Sequence, residues 1–429
     1  MGTWLKRHIG LVLATTAVAL CIERAEAGGF AVREQSAAGQ GASFAGVAAG
    51  GSVASMFWNP AIMTQFNGLV SEMDTALIFP KSEQTGFGSL NAVGFTGAID
   101  NSAEPALIPA SYTSWQLNDR FWVGMSVNSP TGLSVGFSNK AWVGAAYGQS
   151  SILQTYNATP SVAWKVADWL SVGAGVQIQY ARTNLTSFNG VGGIASPNLF
   201  IISGAGWGWG FTAGATLTPT PTTQIGVGYR SRIDQDISGA LTGSGGLTTM
   251  GPVQATLRLP DMISVGLRQG LVPGWTLLGT FEWTNWSRVG TAVVTQGSGA
   301  PALASTGAPV TLPFNYEDGF FYSGGLEYAI SPTWTVRAGF AYEKSPIVDL
   351  VRTPRLPDND RYWYSVGATN KLTDRIVVDL GYSFVDVKDT PINITATSGN
   401  PWFIPGVSYT GTASSHSHIL VLGARYRWN

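Results

Sequence analysis

The sequence predicts an all-β protein, a transmembrane antiparallel β-barrel of about 14 strands with an N-terminal hatch inside the lumen. Three observations predict it: a low density of charge, alternating segments whose aromatic face has to be the outer one, and short turns that recur along the chain. Only 11% of the 429 residues are charged and the net charge is −1, alongside 54 glycines, 16 tryptophans and 14 tyrosines. A soluble domain carries about 25% charged residues, so part of this surface faces something other than water. No segment beyond Ala27 reaches the roughly 18 uninterrupted apolar residues of a spanning helix. A closed barrel is the other way to pair every backbone group in lipid.

Residues 1–27 read as a secretory signal peptide. Lys6, Arg7 and His8 precede an apolar run from Ile9 to Ile22, and Ala25-Glu26-Ala27 supplies the small-x-small pattern that places cleavage after Ala27. The competing lipoprotein signal would use Cys21, but Leu20 stands where a small residue is needed before it. Cys21 is the single cysteine, so the mature chain has none for a disulfide or a cysteine metal site.

Residues 28–68 do not read as strand. Ala, Gly and Ser crowd this region, Pro60 interrupts it, and no period of two is sustained. Phe30, Phe44, Met56, Phe57, Trp58 and Phe66 are too many large apolar groups to leave in water. A compact plug inside the barrel buries them; a flexible lead-in is the alternative. Gly39-Gln40-Gly41 lacks the spacing of a dinucleotide fingerprint, and no cofactor is expected.

Residues 69–429 read as the barrel. Over 334–342 one face is Trp, Val, Ala, Phe and Tyr and the other Thr, Arg, Gly and Ala. Trp275, Leu277, Gly279, Phe281 and Trp283 repeat this arrangement, as do Ile376, Val378, Leu380, Tyr382 and Phe384. Leu420, Leu422, Ala424, Tyr426 and Trp428 form the closing strand, which the barrel assembly machinery is expected to accept although Asn429 follows the last aromatic. A soluble sandwich also alternates, but its exposed face is polar. Breaks at 117–120, 166–168, 219–222, 270–274, 331–333 and 372–374 recur every roughly 40 to 60 residues, the span of two strands and one long loop. Six periplasmic turns, with both chain ends in the periplasm, give about 14 strands. The glycine- and serine-rich stretches 238–251 and 296–309 read as extracellular loops.

Single residues add less. Trp207 and Trp209 share one face and read as interfacial anchors, and Asp358, Asp360 and Arg361 as a salt bridge at the rim. Catalysis would need a base, and beyond His8 only His416 and His418 exist. Their serine neighbours Ser415 and Ser417 fall on the opposite strand face, so an enzyme is not expected. The near-zero charge excludes a basic stripe for nucleic acid and argues against the charge-lined lumen of a general porin. After a regular strand over 121–128 comes Ser129-Pro130-Thr131-Gly132, through which ladder pairing cannot continue. On the residues alone the strand has either reached its loop or kinked.

Four blocks in order carry a family resemblance through the mature chain: Gly29-Phe30 at its start; Asn59-Pro60-Ala61; Leu259-Pro260-Asp261 with Trp275 and Thr284-Asn285-Trp286-Ser287; and Ser345-Pro346 leading to Pro357-Asp358-Asn359-Asp360-Arg361-Tyr362-Trp363-Tyr364-Ser365-Val366-Gly367. The chain resembles the long-chain fatty-acid and hydrocarbon channels of the outer membrane, of the FadL and TodX type. The resemblance implies a 14-stranded barrel and passive uptake of hydrophobic molecules. It puts Asn59, Pro60 and Ala61 in the hatch and Phe30 in the ligand pocket. It also implies lateral release into outer-membrane lipid through a kinked third strand at Asn128, Ser129, Pro130, Thr131 and Gly132. Where the fatty-acid members carry basic residues this chain has Ser187 and Leu312, so either Arg182 meets a ligand carboxylate or the ligand is neutral. Long-chain fatty acid is the leading ligand and neutral or aromatic hydrocarbon the alternative. A monomer without metal or cofactor is expected.

Overall fold

The computed structural model describes residues 29–90, 93–137, 142–188, 199–243, 252–296, 298 and 310–428. The expected signal peptide and most of 296–309 lie outside these residues. Fourteen strands build the wall: β1 (Leu69–Leu90), β2 (Ala106–Gln116), β3 (Phe121–Asn128, continued by Gly132–Gly136), β4 (Ser150–Ala167), β5 (Leu170–Phe188), β6 (Leu199–Thr220), β7 (Thr223–Arg230, continued by Ile233–Gly243) and β8 (Pro252–Leu259, continued by Met262–Gly270). They are followed by β9 (Trp275–Thr284), β10 (Gly319–Ala329), β11 (Trp334–Lys344), β12 (Arg361–Lys371), β13 (Ile376–Ile394) and β14 (Val407–Arg427). Each pairs antiparallel with its neighbour, and β14 returns to β1 from Arg427 opposite Val70 to Val407 opposite Leu90. Closure through β14 and β1 joins the two ends of the sheet, so neither end strand presents an open edge. All six predicted turns fall between consecutive strands.

The outward face is aromatic as the alternation requires: Trp207, Trp209, Trp275, Phe281, Trp334 and Phe340 are exposed, while Arg337 and Ala341, of the other parity, are buried. Trp428 donates from its indole to Ser71 Oγ at 3.1 Å, tying the chain end to β1. One prediction is corrected. Residues 238–243 belong to β7 rather than to a loop, with Leu241 packed on Val253 and Val294. Their Gly and Ser content hides an alternation that continues above the membrane band.

Residues 29–68 fill the lumen with short helical turns, an α-turn at Ala37–Gln40 and 3-10 turns at Val47–Ala49, Val53–Phe57 and Pro60–Gln65. Nearly all of their side chains are buried. Phe44 meets Trp58 at 5.7 Å between ring centroids and the wall's Trp363 at 5.9 Å. Wall carboxylates cap the turns: Asp74 accepts from the Ala37 N–H (2.9 Å) and Glu72 from the Val53 N–H (2.7 Å). Both therefore satisfy orphan donors at helical N-termini.

Candidate functional site

Asn59 is completely buried and clamps the hatch to the wall. Its Oδ1 accepts from Ala61 N–H at 3.0 Å, capping the turn that Pro60 starts, and its Nδ2 donates to Ala48 O (2.7 Å) in the hatch and Ala215 O (2.9 Å) in β6. Asn59, Pro60 and Ala61 thus form a structural joint, and none of them lines the cavity floored by Phe30.

β3 breaks where its sequence does. Its ladder with β2 ends at the pair Ser111–Val127, and Gly132–Gly136 forms its ladder with β4. The segment between bends to the hatch. Val32 N–H donates to Pro130 O (3.0 Å), Gly132 N–H donates to Phe30 O (2.8 Å), and Ala31 bridges Thr131. Gln35 adds a bond to Ser129 O at 2.9 Å. Asn128, Ser129 and Thr131 are buried. Above the break Ala103 bridges Val135, so the interruption of the β2–β3 ladder is bounded at both ends. Pro109 in β2 and Pro130 between the two halves of β3 lie at this interruption, each without an N–H to offer.

At the extracellular end, above residues 30–33, lies an apolar cavity of about 90 Å³. Phe30 is its floor, held by edge contacts to Trp286 (5.6 Å) and Phe314 (5.5 Å) and a tilted one to Tyr316 (5.7 Å). Leu133, Leu153, Leu185, Ile202, Leu257 and Leu312 contribute to its sides. Among the described residues, the one charged residue on the wall is Arg355, from the β11–β12 connection. It donates from Nε to Tyr147 O (3.2 Å), from Nη1 to Ser150 O (2.9 Å) and Ser151 Oγ (2.6 Å), and from Nη2 to Thr186 O (3.0 Å). All four acceptors are neutral, and burial without an acidic partner pulls its pKa down to about 10.

Arg182 does not serve this cavity. It shares the outward parity of Val176 and Tyr180, its side chain is exposed, and it bonds Gln154, while its neighbours Thr183 and Leu185 face in. Of the two positions read as having lost positive charge, Leu312 lines the cavity and Ser187 does not. Of the charged group at 358–361, Asp360 makes a partly exposed pair with Lys388 (2.8 Å), but Asp358 and Arg361 are buried and bonded to each other, and Asp358 Oδ2 accepts from Gly29 N–H at 3.2 Å, fixing the start of the hatch. Arg355 was missed because its loop has no alternation from which an inward direction can be read.

A 14-stranded outer-membrane barrel with a filled lumen, a broken third strand and an apolar cavity defines a class of plugged transport barrels. Residues 18–428 match the family of outer membrane protein transport proteins (OMPP1/FadL/TodX), and the chain belongs to that family. The long-chain fatty acid transport protein of Escherichia coli K12 is 26% identical over 422 residues, which cover 88% of this chain and 92% of that protein. Outer membrane protein P1 of Haemophilus influenzae is 25% identical, covering 96% and 98%. Among solved structures, a Pseudomonas aeruginosa FadL homologue superposes with a TM-score of 0.82 at 23% identity (94% and 100% covered). The Pseudomonas putida toluene transporter TodX does so at 0.69 and 17% (93% and 99% covered).

Proposed function

We propose that this barrel passively transports amphipathic hydrophobic molecules, long-chain fatty acids first, across the outer membrane. The observation that carries the reading is Arg355, a guanidinium with only neutral acceptors on the wall of an otherwise apolar cavity. A carboxylate brought there gains a charge-assisted partner, whereas buried alone it costs several kcal/mol. The relatives named for fatty-acid transport cover nearly the whole chain and support the same ligand class. The neutral-hydrocarbon reading draws on the toluene transporter's similar fold and on the apolar cavity walls.

In this mechanism the ligand enters at the extracellular loops, displaces Phe30 from the cavity floor, and leaves sideways at Asn128 to Gly132 into lipid. Sideways release spares it the aqueous periplasm, where each exposed methylene costs about 0.8 kcal/mol. The reading assigns no catalytic step, and the outward parity of His416 and His418, with Ser415 bonded to Ser82 on the other face, supports it. The protein acts as a monomer, exported through a signal peptide cut after Ala27 and inserted by the barrel assembly machinery. The test is equilibrium binding of oleate, hexadecane and toluene to purified wild type and Arg355→Met. Oleate binds tightest, and the variant weakens oleate alone by about 10- to 100-fold, the loss of one charge-assisted bond. Equal weakening of all three, or tighter binding of toluene by the wild type, replaces the acid with a hydrocarbon.

A further inference from the structure

Residues 30–33 divide the lumen. Phe30 faces the cavity with Arg355, while Ala31, Val32 and Arg33 line a second cavity of about 90 Å³ on their other side. This second cavity touches the β3 break at Pro130 and Thr131 and extends to β5, β7, β8 and β9. Its lining carries two guanidiniums, Arg33 and Arg230, and one carboxylate, Glu282. Glu282 is already taken: Arg33 Nη2 lies 2.8 Å from its Oε1, and Ser264 Oγ donates to its Oε2 at 2.6 Å. Arg33 also lies 3.6 Å from Glu343.

Arg230 has no ion pair among the described residues. It donates from Nη1 to Phe57 O (3.0 Å) and from Nη2 to Gln177 Oε1, and its guanidinium lies 4.2 Å from the Phe57 ring centroid. It is 5% exposed. A guanidinium solvated only by neutral oxygens and a ring, at the edge of an open cavity, is arranged to receive an anion. Gln177 and Gln179 also line the cavity, with their amide N–H groups already given to Phe211 O and Gln235 Oε1, so Arg230 is the group left for an anion.

We infer that the cavity beside the β3 break is a second, exit-side ligand site, in which Arg230 receives the carboxylate of an acid that has left Arg355. The inference rests on the carboxylate reading of the first cavity. It gives the head group a partner on both sides of the 30–33 partition, so the anion is not left unpaired in an apolar lumen while its tail moves toward lipid. A neutral hydrocarbon gains nothing from Arg230. The residue therefore sets specificity at release, separately from capture.

The experiment is uptake of radiolabelled oleate and hexadecane by cells carrying wild type, Arg230→Gln, Arg230→Lys or Gln177→Glu, at matched levels of heat-modifiable barrel. Arg230→Gln removes the charge and keeps a donor. Gln177→Glu leaves Arg230 in place but neutralises it from within, so it carries the test should the arginine variants fold poorly. Both are expected to slow oleate at least about fivefold and leave hexadecane within about twofold, with Arg230→Lys recovering most of the oleate rate. Oleate binding to purified Arg230→Gln stays within about threefold, because the first cavity is intact. Equal slowing of both probes marks a structural strut between Phe57 and Gln177 and overturns the site. So does unchanged oleate uptake in both neutralised variants while the wild type transports oleate. A wild type that takes up hexadecane but no oleate instead removes the carboxylate reading of the first cavity.

Discussion

Glu34 sits in the hatch with its carboxylate completely enclosed, facing a small cavity near Asp358, Arg361 and Trp363. Burial pushes its pKa up to about 7; Glu343 adds to the shift, and its own backbone N–H, Arg33 and Arg361 oppose it. Between pH 4.5 and 7 the folded protein holds a proton there that the unfolded chain has released. Stability therefore falls as pH rises through that window and levels off above it, by about 3 kcal/mol in total. In Glu34→Gln this slope is expected to vanish from melting temperatures measured at pH 5 and pH 8; an unchanged slope assigns the effect to other carboxylates. Single residues were the least legible part of the sequence. Arg182 stands as the expected carboxylate partner only because Ser187 and Leu312 carry no charge, although its parity with Val176 and Tyr180 already marks it as outward. Arg230 follows Gly226 and Gly228 on the inward parity, so its direction could be read. What could not be read is that none of the carboxylates folded near it is free to pair with it.

Whole elements were far more legible, because strand direction and turn position depend on local alternation and local chemistry. The six turns are legible as short polar or proline-containing breaks that each lead into an alternating run. The break in β3 was visible in Pro130 and Gly132, but its partner was not, since residues 30–32 lie about a hundred positions away in sequence. β7 misled because its upper half is built of glycine, serine and alanine. The break also gives a prediction at this scale. Ala110→Cys with Asn128→Cys adds a crosslink one step beyond the last ladder pair, Ser111–Val127. Oxidised, it should extend the ladder across the interruption and lower oleate uptake several-fold, with reductant restoring it. Gly132→Trp tests the same route without redox chemistry, because even a Cβ there comes within 3.2 Å of Val32. Wild-type uptake with a proven crosslink directs the ligand down through the barrel instead.

Across the whole molecule, barrel and hatch fit by backbone contact. A Cβ added at Gly226 would lie 1.8 Å from Ala48 O, one at Gly228 1.8 Å from Trp58 O, and one at Gly339 2.1 Å from Ala42 O. Part of the chain's high glycine content is thus explained by a wall stripped of side chains where the plug docks. The fit predicts that deleting residues 29–68 opens the pore: in planar bilayers the deleted form should pass ions steadily, while the intact protein stays close to silent. Steady conductance by the intact protein would mean the hatch does not seal. The filled lumen also bears on the cell that makes this protein. An open porin of this circumference would admit every small polar toxin along with its cargo, whereas a barrel occupied from wall to wall can be made in large numbers without weakening the envelope against water-soluble antibiotics. Abundance, in such a design, is limited by membrane area and not by leakage.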